Sequence, residues 1–86
     1  MVKNMTFQDV LNAVANGDSD NMTSKKLGIT RQAFSAYRNN RRIPEDDILD
    51  KMVELSGLDA MKVYYAAYAE KIHNPVVAEQ FRHLAA

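Results

Sequence analysis

The chain has 86 residues, with 11 basic side chains, 11 acidic side chains and no cysteine. That length holds one domain, spanning residues 1–86, at the small end of what folds alone, and the missing cysteines exclude a disulfide framework. A formal net charge of zero argues, as an average, against a polyanionic partner; no run is apolar enough for a secretory segment or a membrane span, so a cytoplasmic protein without a membrane partner is expected.

The average hides a segregation. Residues 20–44 carry Lys25, Lys26, Arg31, Arg38, Arg41 and Arg42 against Asp20 alone, and the rest of the chain is acidic by the same margin. A basic face on an acidic body can hold a polyanion and repel wrongly oriented approaches.

In chain order, Thr6 with Asp9 three residues on has the form of a capping box. Phe7, Val10, Leu11 and Val14 follow as one helical stripe, and Gly17 supplies a left-handed stop. Ser19 caps a second helix to Leu27, which Gly28 ends. Thr30 caps a third from Arg31 to about Asn39, and Asn40 suits a left-handed position after it. Pro44 is expected to open a fourth helix in its first turn, with Glu45, Asp46 and Asp47 at the positive end of its dipole. Its buried face would be Ile48, Leu49, Met52, Val53 and Leu55, with Gly57 closing it. A fifth helix from about Asp59 to Ile72 carries Met61, Tyr65, Tyr68 and Ile72 on one stripe and Ala60, Val63 and Ala67 on a smaller one. Asn74 and Pro75 start a sixth, ending near Leu84, with Val77, Phe81 and Leu84 inward. The fold class is therefore all-α, with five to six helices.

The chemistry concentrates between Ser19 and Tyr37. Two short helices joined by a tight turn at Gly28 must cross steeply, anchored by Leu27, Ile29, Phe34 and Tyr37. On a helical wheel Ala33, Phe34 and Tyr37 take one side of the third helix, and Arg31, Gln32, Ser35, Ala36 and Asn39 the other. The outer side has no acid and no large apolar group. Such a face can lie in a DNA major groove, where Arg addresses guanine, Gln addresses adenine, and Ala meets a thymine methyl.

From Ser19 through Leu58 the pattern resembles the Cro/CI-type (lambda-repressor-like, XRE) helix-turn-helix family. The resemblance is carried by Leu27-Gly28-Ile29-Thr30, then Phe34-Ser35-x-Tyr37-x-x-Asn40-x-x-x-Pro44, then the apolar fourth helix. It implies a lambda-repressor-like core over residues 1–57 and a helical extension over 58–86. It implies base reading by Arg31, Gln32 and Ala36, with Ser35 between them. It also implies phosphate contacts from Asn21, Thr30, Asn39, Arg41 and Arg42, to which Arg38 adds a further cation. Lys25 and Lys26 could add to the same term or serve only the C-terminal end of the second helix. Thr23 and Ser24 stand where the family usually has leucine and alanine, which predicts a more polar helix junction. Asp20 stands where the family often contacts phosphate, and an acid there opposes DNA.

The fifth and sixth helices carry more apolar surface than one small core requires. They either complete the core or form a homodimer surface with Met61, Tyr64, Tyr65, Tyr68 and Phe81. A twofold pair would set two recognition helices about 34 Å apart and require a palindromic operator. His73 and His83 match no metal spacing, and no nucleophile–base pair or phosphate loop is visible. No enzyme activity, cofactor, metal or small-molecule ligand is expected. The expected function is a sequence-specific transcriptional regulator, a dimeric phage- or prophage-type repressor that occludes a promoter. An antitoxin, an excisionase-like architectural DNA binder, and a domain that has lost DNA binding are the alternatives.

Overall fold

A computed structural model describes residues 4–86. It consists of α1 (Phe7–Ala15), α2 (Asp20–Leu27), α3 (Arg31–Arg38), α4 (Asp46–Ser56), α5 (Ala60–Ala69) and α6 (Pro75–Ala85). There is no strand among the described residues, so the fold is all-α.

The helix starts follow from local chemistry. Thr6 accepts a hydrogen bond from the Asp9 amide at 3.2 Å, and the Asp9 carboxylate accepts from the Thr6 amide at 3.0 Å. This reciprocal pair satisfies two amides that the first turn would otherwise leave open. Ser19, Thr30, Asp59 and Asn74 cap α2, α3, α5 and α6 in the same sense, each accepting from an amide of its own first turn. Pro75 sits at the first position of α6, where its missing N–H costs nothing.

One core serves both the first four helices and the last two. Phe7, Val10, Leu11 and Val14 of α1, Leu27 of α2, Phe34 and Tyr37 of α3, and Leu49 and Met52 of α4 are joined by Val63, Ala66, Ala67 and Ala85. α1 is the central strut and packs on α2, α4 and α5, while α5 and α6 form the most extensive helix pair. Each large side chain closed off here contributes about 1.5–3 kcal/mol relative to exposure, and the fold rests on that sum.

Several expectations need correction. α1 ends at Asn16, itself left-handed at φ 47°, with Gly17 also positive; two successive such residues turn the chain. Pro44 lies outside α4, because Glu45 is extended and caps it. Pro44 is buried, and so is Leu49 one turn into the helix; these are the two positions of a hydrophobic staple. Leu55 faces solvent, not the core.

The larger correction concerns α5 and α6. α5 stops at Ala69, and its buried face is Val63, Ala66, Ala67 and Ala69, with Met61 exposed and Tyr65, Tyr68 and Ile72 half-buried. Ala60, placed on the inner strip by the periodicity, is exposed. In α6 the buried residues are Ala78 and Ala85, whereas Val77 and Leu84 are exposed and Phe81 is half-buried. Small residues let packed helices approach closely, and here the alanines are the buried positions while the Tyr65 and Phe81 rings, half-buried, meet edge-to-face between α5 and α6.

Candidate nucleic-acid interface

The α2–α3 hairpin is built by two helix endings of the same kind. At the end of α2 the Gly28 amide donates to Lys25 O at 3.1 Å and the Ile29 amide to Ser24 O at 3.0 Å, with Gly28 at φ 73°. At the end of α3 the Asn40 amide donates to Tyr37 O at 3.2 Å and the Arg41 amide to Ala36 O at 2.9 Å, with Asn40 at φ 57°. Both are Schellman motifs, which close the last carbonyls and reverse the chain through one left-handed residue. The first sets the short turn between the helices. The second folds residues 40–42 back over the end of α3.

The polar junction expected at Thr23 and Ser24 is present and fully satisfied. Both side chains are buried; Thr23 donates to Ser19 O at 2.8 Å and Ser24 to Asn21 O at 2.7 Å. Each hydroxyl is thus spent on its own helix, and no buried side-chain polar atom lacks a partner among the described residues. The inward side of α3 is held by rings. Phe34 and Tyr37 meet edge-to-face, and Phe7 of α1 meets Tyr37 in the same way, both with centroids 6.5 Å apart. Burial raises the Tyr37 hydroxyl pKa, partly offset by the nearby Arg42 charge.

With that side anchored, Arg31 and Gln32 are exposed and Ser35 and Ala36 half-exposed on the opposite side. The four residues expected to read bases therefore share one accessible face. Asn39 donates from Nδ2 to Ser35 O at 2.8 Å and to Ser35 Oγ at 3.3 Å, leaving the serine proton free to donate outward. Thr30 accepts the Ala33 amide at 3.0 Å and keeps its own proton. Asn21 is exposed in the first turn of α2, and Arg41 and Arg42 are exposed in the loop after α3.

Arg38 is placed differently. Its Nε and Nη2 each donate to Asp20 Oδ1 at 3.3 Å, its Nη1 donates to Asn12 Oδ1 at 2.7 Å, and its guanidinium lies 5.4 Å from the Phe34 ring centre. Arg38 thus ties α3 to α2 and α1, and at the same time neutralises the acid that would oppose DNA. Lys26 is paired with Asp18. Lys25, Arg31, Arg41 and Arg42 have no ion-pair partner among the described residues, so the hairpin presents uncompensated positive charge.

Three positioning residues left no mark in the sequence. Gln8 of α1 donates to Tyr37 O and to Asn40 Oδ1, both at 3.2 Å, which fixes the end of α3. Asn12 holds Arg38, and Lys51 of α4 donates to Leu27 O at 3.3 Å at the end of α2. Each is separated from its partner by at least 24 residues, so no local spacing rule could find it.

The residues expected to form a dimer surface, Met61, Tyr64, Tyr65, Tyr68 and Phe81, converge on one groove of about 420 Å³ at the edge of the α5–α6 pair. A hollow of this kind was not legible in the sequence. His73 and His83 are both exposed, and no group of three metal-binding side chains occurs among the described residues. No helix among them is long and apolar enough to cross a membrane. Comparison with protein-family models, with curated proteins and with solved structures finds no match.

Proposed function

We propose that this protein is a sequence-specific DNA-binding regulator of the Cro/CI-type helix-turn-helix class that acts as a dimeric repressor by covering a promoter. One observation carries the reading. α3 is pinned through Phe34 and Tyr37 so that Arg31, Gln32, Ser35 and Ala36 form an accessible face without an acid, flanked by the unpaired Arg41 and Arg42. The first residues of such a helix enter the major groove deepest, and Arg31 and Gln32 offer bidentate donors there. Arg41, Arg42, Asn21, Thr30 and Asn39 surround that face as phosphate contacts, which position the protein without specifying sequence.

Dimerisation belongs to the proposal because one short helix reads few base pairs. A twofold interface uses the same patch on both subunits. Val76, Val77 and Leu84, exposed apolar residues of α6 that lie outside the lining of the groove, offer that patch. The antitoxin alternative asks for a tail that folds only on a partner. Here Val63, Ala66, Ala67 and Ala85 are integral to the core, which favours the repressor reading.

The test is selection from random duplex DNA followed by titration of the enriched sequence at several salt concentrations. A palindrome should emerge. Arg31→Ala should relax one position per half-site at a cost of about 1–3 kcal/mol, and Arg41→Ala should weaken all sequences alike and reduce the salt slope by about 0.9 per contact. A folded protein that enriches nothing refutes the reading.

A further inference from the structure

The groove beside α5 has a composition that selects a ligand. Four rings line it, those of Tyr64, Tyr65, Tyr68 and Phe81, with Met61 at the rim, and Asp50 of α4 is the one charged residue in the lining. Its volume, about 420 Å³, falls in the range of small-molecule sites, which are mostly apolar with a few placed polar groups.

The rings are arranged as two edge-to-face pairs, Tyr64 with Tyr68 at 5.9 Å and Tyr65 with Phe81 at 5.6 Å. Tyr64 donates its hydroxyl to Asp50 Oδ1 at 2.6 Å, and Tyr68 donates to Asp46 Oδ1. A phenol that donates to a carboxylate gains electron density in its ring, which strengthens the attraction of the ring face for a cation. That attraction is already in use at the edge of the groove, where the Lys71 ammonium lies 4.8 Å from the Tyr68 ring centre.

The charge on the α4 wall points the same way. Glu45, Asp46, Asp47, Asp50 and Glu54 stand on or next to α4 with Lys51 as its one base, and Lys51 is turned to Leu27 O. The helix dipole compensates Asp46 and Asp47 in the first turn, but not Asp50 one turn further on. Asp18, Asp20, Glu70 and Glu79 have cationic partners, whereas the only partner of Asp50 among the described residues is a neutral phenol.

We propose that the groove is a binding site for an amphipathic organic cation, a small molecule with an aromatic or aliphatic body and one protonated amine. The body lies between Tyr64, Tyr65 and Phe81, and the ammonium meets Asp50 and the adjacent ring faces. The site stands apart from the α2–α3 face and does not depend on the DNA-binding reading.

The experiment titrates 4-phenylbutan-1-amine and its neutral counterpart 4-phenylbutan-1-ol into the full chain. Calorimetry gives affinity, and the Met61 methyl resonance gives location. The amine should bind about tenfold more tightly than the alcohol, in keeping with one cation–π contact plus one charge-assisted hydrogen bond. Asp50→Asn, an exposed and nearly isosteric change, should remove most of that preference and leave the alcohol unaffected. Equal affinities for amine and alcohol would overturn the proposal, as would no saturable binding of the amine. So would a groove closed by a second copy, seen as a dimer in sedimentation that Met61→Glu converts to monomer.

Discussion

Asp20→Asn should weaken the fold and tighten DNA binding in the same molecule. Asp20 is half-exposed and meets Arg38 at 3.3 Å, so the ion pair belongs to the surface class, worth about 0.2–1 kcal/mol. Asp20 also lies in the first turn of α2, where a carboxylate gains about 0.3–1 kcal/mol from the helix dipole. Together the loss is about 1 kcal/mol, which lowers Tm by about 4–8 °C in a domain of this size. The effect on DNA has the opposite sign. Asn12 and the Phe34 ring still hold Arg38 in place, so the substitution leaves an uncompensated guanidinium at the end of α3. Removing one negative charge about 8 Å from a phosphate relieves about 0.5 kcal/mol in water, and neighbouring phosphates add to it. We expect a gain of about two- to fivefold in affinity at low salt, fading as the screening length falls below the separation. Fluorescence anisotropy on the selected operator at low and high salt, beside a thermal melt, reads both effects. Affinity that falls along with stability would refute the argument, because the pair would then be setting the angle of α3 and not masking an acid. Affinity unchanged at low salt would place Asp20 away from DNA altogether.

Gly28→Ala should cost about 1–2 kcal/mol, the penalty of a left-handed L-residue at φ 73°, and lower Tm by about 4–16 °C; an unchanged melt would mean that the α2–α3 turn adopts another conformation. The new Cβ would stand 3.4 Å from Lys51 Nζ, a flexible tip that can move at the expense of its bond to Leu27 O. The Tyr64 hydroxyl is pushed up to about 12, first by its hydrogen bond to Asp50. Its folded value lies above the ordinary 10.0, so the stability it contributes is complete below pH 10 and is lost as pH rises through about 12. Tyr37 and Tyr68 are also raised, so ultraviolet titration of the wild type and of Asp50→Asn should differ by one tyrosine that ionises earlier in the variant, toward 10; identical titration curves would break the assigned link.

Much of this architecture is legible without coordinates, because it is written in neighbours. Thr6 with Asp9, Ser19, Thr30 and the Asn74-Pro75 pair act on amides two or three residues away, so a local rule finds them. The α1 stripe was equally plain, since Phe7, Val10, Leu11 and Val14 are the only large apolar residues there and all are buried. The outward face of α3 follows from the same periodicity once Phe34 and Tyr37 are taken as anchors.

Local rules fail where two elements compete for one space. Periodicity alone ranks Met61, Tyr65 and Tyr68 above the alanines of α5, because it weighs hydrophobicity and not volume. Packing reverses that order: Ala66, Ala67, Ala78 and Ala85 are buried, while Tyr65 and Phe81 stay half-buried and meet edge-to-face across the two helices at 5.6 Å. The half-buried rings line the groove, a hollow bounded by α4, α5 and α6 together. Arg38 illustrates the same limit in electrostatics. Its charge is written in the sequence, but its pairing with Asp20 and Asn12 across 18 and 26 residues is settled by how α1, α2 and α3 meet. The sequence by itself determined where α1, α2, α3 and α6 begin, where α2 and α4 end, and which face of α3 carries donors, since these depend on contacts within one turn. Tertiary structure decided which cations remain free and which apolar residues remain uncovered, since both depend on what the opposing helix leaves room for.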